Sequence, residues 1–549
     1  MKNLIIIVVF SAFLIACNRG DRYGDEKIFR YNIPEGITSL DPAFTNILGN
    51  IDCVNQLFNG LVQMDEKLKV VPSIAKSWEI LDSNKTYIFH LRDDVYYHEN
   101  ELFGKAKSRV VVASDFIFSF NRIVDPSLIS PGKWVFNEVK RNPINELDIT
   151  APNDTTLVIK LEKAFPPFLG ILTMKYCSVI ASEALAEFGD DFRSNPIGTG
   201  PFQFKYWSEN TKLVMLKNSN YFEKDVNGES LPKMDAVSIS FIKDQEVAFL
   251  LFLKGDLDYL SGLKGSYKDE LLNSRGELRP KYLEDISLST NPYLNTEYIG
   301  FLLDSTVDVG IGNPLLNKNL RLAINFGFDR EKMLKYLRNG IGIAANSGFV
   351  PQGLPSFNAD ELKGYYYDQK IAKDYLAKAG YPNGEGLEEI VISTTAEYLD
   401  ICEYMQHQLG EIGIRIKIDV NPPATNNELV ANSELRVFRK SWVADYPDAE
   451  NYLALFKSNN FSPKGPNYTH FTNATYDSLF DYTMTISNEQ KRNTLYLKLD
   501  SIIVANAPVV PLFYDQVVRF IPKHMSNIGV NPMNLLDLRY AEKENRNID

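Results

Sequence analysis

The sequence predicts a mixed α/β protein built from more than one substructure, and three observations carry this. Strand-like alternation and helical apolar stripes follow one another along the whole chain. The 549 residues exceed what a single hydrophobic core usually supports. A composition of 44% hydrophobic and 23% charged residues is ordinary for a globular protein and excludes a largely disordered one.

The elements read in order as follows. Phe29 to Ile33 is a short strand, followed by a loop holding Leu40-Asp41-Pro42. From Asp52 to Leu61, Val54, Leu57, Phe58 and Leu61 recur at helical spacing. Thr86 to Leu91 alternates as a strand. Ser114 to Val124 sets Phe116, Ile117, Phe120 and Ile123 on one stripe, with Ser114 placed as the N-cap. The glycine-rich Pro196-Ile197-Gly198-Thr199-Gly200-Pro201 lacks the lysine of a phosphate loop and leads into an alternating segment, Phe202 to Tyr206. It therefore reads as a tight turn before a strand, not as a phosphate cradle. Asp368 to Ala379 is a helix stopped by Gly380 with Pro382 beyond it. Asn488 to Ala505 is a second amphipathic helix, closed by Ala507-Pro508 and followed by a strand over Val509 to Phe520. No short-period repeat or low-complexity tract occurs.

Charge and missing motifs narrow the chemistry. With 58 basic and 70 acidic residues the formal net charge is −12. No basic run offsets it, which argues against a nucleic-acid partner. The five histidines, His90, His98, His407, His470 and His524, form no close metal pair, and no nucleophile elbow or Walker motif is present. No catalytic apparatus, metal or cofactor is expected. Paired carboxylates of a glycosidase would leave no such local mark. Of the four cysteines, Cys17, Cys53, Cys177 and Cys402, none forms C-x-x-C. If Cys17 carries lipid, the other three allow one disulfide at most, and buried thiols are the expected state.

The first residues set the compartment. Lys2 precedes an apolar run from Leu4 to Ala16 that is too short to span a bilayer, and Leu14-Ile15-Ala16-Cys17 ends it. This resembles a bacterial lipoprotein signal: residues 1–16 are removed, Cys17 is lipidated, and 17–27 form a tether outside the cytoplasm. An ordinary secretory signal is the alternative.

Taken together, SLDPAF, QLFNGLVQMD, PSIAKSWEI, TYIFHLRDDV, ASDFIFSFNRI, NPIGTGPFQF, KGDLDYL, NKNLRLAINFGFDREKM, DQKIAKDYLAKAGYPNG, WVADYPDAENYLALF and APVVPLFY resemble the family 5 extracellular solute-binding proteins. These are the oligopeptide and dipeptide receptors of bacterial ABC importers. The resemblance implies an α/β, two-lobed periplasmic-binding-protein fold (class II-like, cluster C) with an extra domain inserted in the first lobe. Mapped here, lobe one comprises 28–58, 188–296 and 509–540, the inserted domain 59–187, and lobe two 297–508. The repeated crossings between lobes would form a hinge.

The resemblance also implies site residues. The Asp of the family's W-x-x-D segment holds the peptide α-ammonium, which points to Asp445, with Trp442 as an apolar wall. The alternatives are turn chemistry for Asp445 and core packing for Trp442. Arg439 sits where some relatives place a guanidinium near the ligand's acidic end; the alternative is a structural Arg in the patch Arg436, Arg439, Lys440. Leu48 and Gly49 align with a segment beside the peptide backbone, where strand-like pairing would add sequence-independent affinity. Asn46 replaces an acidic residue that some members carry in that loop.

The function implied is a lipid-anchored monomeric receptor at the periplasmic face of a membrane, passing short peptides to ABC permease subunits without chemistry. Alternatives are another solute on the same fold (a nickel complex, haem or an oligosaccharide), or a secreted hydrolase.

Overall fold

The computed structural model describes residues 26–262, 267–306 and 312–544. The expected signal segment, Cys17 and most of the tether lie outside the described residues. Three sheets organise the rest.

In the first lobe Ile28–Asn32 runs parallel to Ala236–Ser240, which pairs antiparallel with Lys212–Lys217 and through it with Phe202–Ser208. The strand read at 29–33 places Phe29 and Tyr31 in the core at 0% and 2% exposure. The inserted domain is an antiparallel sheet in the order Ala75–Leu81, Thr86–Leu91, Thr156–Lys160, Ile149–Asn153. The helix Ala113–Val124 packs on it through Phe116, Phe120 and Ile123. The largest sheet runs Leu260–Ser261, Val509–Pro522, Ile286–Phe301, Val437–Val443, Ile390–Thr394, Ile416–Val420. Only Ile390–Thr394 pairs parallel with its neighbours.

Two strands of that sheet are unusually long, and they join the lobes. Ile286–Phe301 and Val509–Pro522 pair from Ile286 opposite Pro522 to Gly300 opposite Val509. Their register slips between Pro292 and Thr296, where residues 293–295 face Asp515 alone. On one side of this bulge they pair beside Leu260–Ser261. On the other they sit within the second-lobe sheet, where Asn295 to Phe301 also pairs with Val443 to Val437. The boundaries read at 296/297 and 508/509 therefore fall inside, or at the end of, shared strands.

Local signals placed several helices well. Asp368 caps Gln369–Lys378 by accepting from Lys370 and Ile371 N–H at 2.9 and 3.0 Å, and Asn488 caps Glu489–Asn506 through Lys491 N–H at 2.8 Å. Two readings need correction. The helix expected over 52–61 spans Leu48–Leu57, and Phe58 is already extended, so Phe58 and Leu61 reach the core from non-helical backbone. Ser114 is not a cap: the helix begins at Ala113, and Asp115 accepts the Val112 N–H at 3.0 Å while gripped by Arg109.

The turn reading of residues 196–201 agrees with the structure. Gly200 N–H donates to the Leu57 carbonyl at 2.9 Å. A Cβ on Gly198 would stand 2.0 Å from that same oxygen, so only glycine lets the turn seat against the helix end. Cys53, Cys177 and Cys402 are free and buried. Among the described residues no helix is long and apolar enough to cross a membrane.

Candidate functional site

A cavity of about 440 Å³ gathers residues from distant parts of the chain. By the division read from the sequence, Thr45, Asn46 and Leu48 fall in the first lobe, Trp134, Lys175 and Tyr176 in the inserted domain, and Val443, Ala444 and Asp445 in the second lobe. Tyr293, from the bulge of the shared strand, closes one wall.

Asp445 reaches this cavity for a local reason. The strand Val437–Val443 stays in the sheet to Val443, and Ala444 N–H donates to the Leu294 carbonyl at 2.9 Å before the chain turns out. Asn451, in the short helix Glu450–Leu453, then fixes the turn. Its side-chain oxygen accepts from Trp442 Nε1 at 2.9 Å and from Asp445 N–H at 3.3 Å, and its amide donates to Asp445 Oδ2 at a long 3.4 Å. Among the described residues the carboxylate has no other partner, and it is exposed where it opens on the cavity. The surrounding walls desolvate it and hold its pKa above the usual carboxylate value, while the Asn451 bond opposes that rise. Across the cavity, burial and the Asp445 charge push the Tyr176 hydroxyl up to about 12. An anion on a cavity wall with one weak partner is suited to a cation supplied from outside.

The structure brings Asp445, Leu48 and Asn46 to one cavity and leaves the other expected residues out of its lining. Trp442 is half-buried, bonded to Asn451 and packed against the second-lobe core. Arg439 is 8% exposed, ion-paired with Glu297 and stacked on Tyr398. Glu297 also accepts from Asn295, which reaches Asp515, itself paired with Arg338 at 2.8 Å. Arg439 is thus one end of an internal polar chain, as the structural alternative has it. Strand-like pairing at Leu48 and Gly49 is corrected outright. Both stand in the first turn of a helix, and a Cβ on Gly49 would lie 3.0 Å from the Ile33 side chain and 3.1 Å from the Gly36 carbonyl. A helical turn cannot accept an added strand.

Asn451, Tyr293 and Lys175 were not legible from sequence. Asn451 lies six residues beyond Asp445, but nothing local marks it as that carboxylate's holder. The other two act only through tertiary contact.

Asp52, four residues after Leu48, lines a neighbouring cavity with Gly49 and Tyr259. Burial raises its pKa from 3.8 to about 7, against the Leu536 N–H and Arg519. The folded carboxyl keeps its proton up to about 7, whereas the unfolded one releases it near 4. This group's contribution to stability is therefore complete below about 4 and lost as pH rises through 7. Asp52→Asn is expected to remove that slope: melting temperature, variant minus parent, should grow from pH 4 to pH 7 and then level off. A difference that stays flat with pH would contradict the assignment. Glu450 and Asp500, also raised to about 7 by burial, titrate alike in both proteins and cancel.

A family model described as bacterial extracellular solute-binding proteins, family 5 Middle, matches residues 69–463. The chain is 27% identical over 537 residues to the periplasmic murein peptide-binding protein MppA of Escherichia coli, covering 93% of this chain and 91% of the relative. It is 26% identical over 483 residues to the heme-binding protein A of Haemophilus influenzae, covering 84% and 82%. The solved structure of the periplasmic binding protein DppA from Helicobacter pylori in complex with peptide STSA superposes with a TM-score of 0.72 at 24% identity, covering 94% of this chain and 98% of that one.

Proposed function

The chain belongs to the bacterial extracellular solute-binding proteins of family 5, and from that premise we propose that it captures short peptides between its lobes for an ABC importer. Its relatives are solute-binding receptors, not enzymes. In this reading Asp445 takes the peptide α-ammonium. A charge-assisted hydrogen bond of that kind contributes about 1.5–3 kcal/mol, enough to set the register of the guest. The observation that supports it most is the Asp445 carboxylate itself, open on a cavity walled by both lobes, with a single long bond from Asn451. The murein-peptide relative supports the same ligand class.

Capture works through lobe closure. Trp134 of the inserted domain lies 6.1 Å, ring to ring, from Tyr446 of the second lobe, and Asn84 donates to Ser487 at 2.8 Å. A guest that touches Asp445 on one side and Leu48 or Tyr176 on the other gains contacts only when the lobes are together, so it shifts the population toward the closed form. The closed receptor then docks on permease subunits. A lipid on Cys17 keeps the monomer at the membrane surface, on the extracytoplasmic side.

Native mass spectrometry of protein purified from cells tests the ligand class. The expected result is a family of adducts that, on release, sequence as short peptides. A single non-peptide adduct, such as haem or a sugar, recurring in every preparation would overturn the reading.

A further inference from the structure

A second and larger cavity, of about 760 Å³, adjoins the first. Met64, Thr173, Lys175 and Leu535 line both, so the two are neighbouring chambers separated by a few side chains. The basic residues of this pair of chambers sort cleanly. Arg92 is bound to Asp94 at 2.7 and 2.6 Å. Arg539 is bound to Asp537, at 2.6 Å, and to Glu223. Lys67 and Lys224 are exposed, where water satisfies them. Lys175 alone among them is partly buried and, among the described residues, has no hydrogen-bond or ion-pair partner. The two charges that act on it most, Arg539 and Asp537, are bound to each other.

An ammonium partly withdrawn from water and without a counterion is a natural partner for an anion supplied from outside the protein. Burial and the positive Arg539 lower the Lys175 pKa to about 8, so it still carries charge near neutrality. The same chamber holds Asp445, the opposite charge, also with a vacant side. Arg439, the cation placed by resemblance at the ligand's acidic end, is spent on Glu297.

We infer that Lys175 is the binding residue for the ligand's carboxylate, so that the chamber selects zwitterionic guests: an ammonium at Asp445, a carboxylate at the mouth of the second chamber. This rests on the peptide reading above and adds a requirement to it. Peptides with a free C-terminus should bind in preference to their amides.

The test uses a random tripeptide library in two forms, free acid and C-terminal amide, competed for the full protein and read by native mass spectrometry. The parent is expected to favour acids roughly ten- to a hundred-fold, the range of one charge-assisted hydrogen bond. Lys175→Met should bring that ratio close to one while amide binding changes by less than about threefold. Lys175→Arg should keep most of the preference, and Lys175→Gln replaces the Met variant if the latter does not fold. A parent that binds peptides without preferring acids overturns the inference, as does a Met or Gln variant that keeps the preference; peptide capture stands in both cases. A parent that binds neither form overturns the peptide reading itself, and the role of Lys175 with it.

Discussion

Replacing Asp445 by Asn is expected to weaken peptide binding by a factor of about thirty to several thousand while leaving the protein folded. The range follows from truncating one partner of a desolvated, hydrogen-bonded charge pair, which costs about 2–5 kcal/mol, most of it from stranding the other charge. An amide of the same shape offers the α-ammonium half the acceptors and turns an N–H₂ donor toward it. Little of this touches the fold, because the Asp445 side chain gives the protein only the long Asn451 contact and faces the cavity. Isothermal titration with a peptide that co-purifies, alongside a thermal melt, separates the two effects. Affinity within about threefold of the parent would remove Asp445 from the site.

Asp41→Ala is expected to lower folding stability by about 3–5 kcal/mol, the range for stranding one member of a buried ion pair. Asp41 receives two bonds from Arg122, at 2.9 and 2.6 Å, and caps the short turn at Pro42–Phe44 by accepting from Ala43 N–H at 2.9 Å. The side chains are 4% and 11% exposed, so water cannot replace the lost carboxylate. The pair also fastens the inserted domain to the first lobe, since Arg122 lies on the helix Ala113–Val124. A second bond, from Ser130 Oγ to the Ala43 carbonyl at 2.7 Å, shares that junction. In a double-mutant cycle with Arg122→Ala, the double variant should be clearly more stable than the two single losses predict when added. Urea unfolding of all four proteins checks this, and simple additivity would deny the coupling.

Much of the architecture was readable because its signals are local. Asp368 and Asn488 cap helices where their sequence neighbours say they should, and the alternation at 86–91 and the strand-like run at 509–520 mark strands that are present. The helix Leu48–Leu57 was misplaced because its start carries no such mark: Ile47 precedes it and has no side-chain acceptor. The Leu40-Asp41-Pro42 turn and the Phe116 to Ile123 stripe were each visible, but their ion pair spans 81 positions and left no trace in either. The site divides the same way. Asp445 was found through one short segment, W-x-x-D, whereas Arg439, three residues before it, is silenced by Glu297, which lies 142 residues away. Lys175 and Tyr293 acquire meaning only when the lobes come together.

The bulge between Pro292 and Thr296 makes the paired long strands more than a spacer. Rotation of one half of the molecule over the other bends the ribbon most easily where rungs of its ladder are already missing. Tyr293 stands in that gap and is also a wall of the chamber. In the closure proposed above, a guest pressing on its ring would push directly on the stretch that bends, with no lever between them. Filling the chamber and setting the angle of the jaws would then be a single mechanical event, carried by one short stretch of chain.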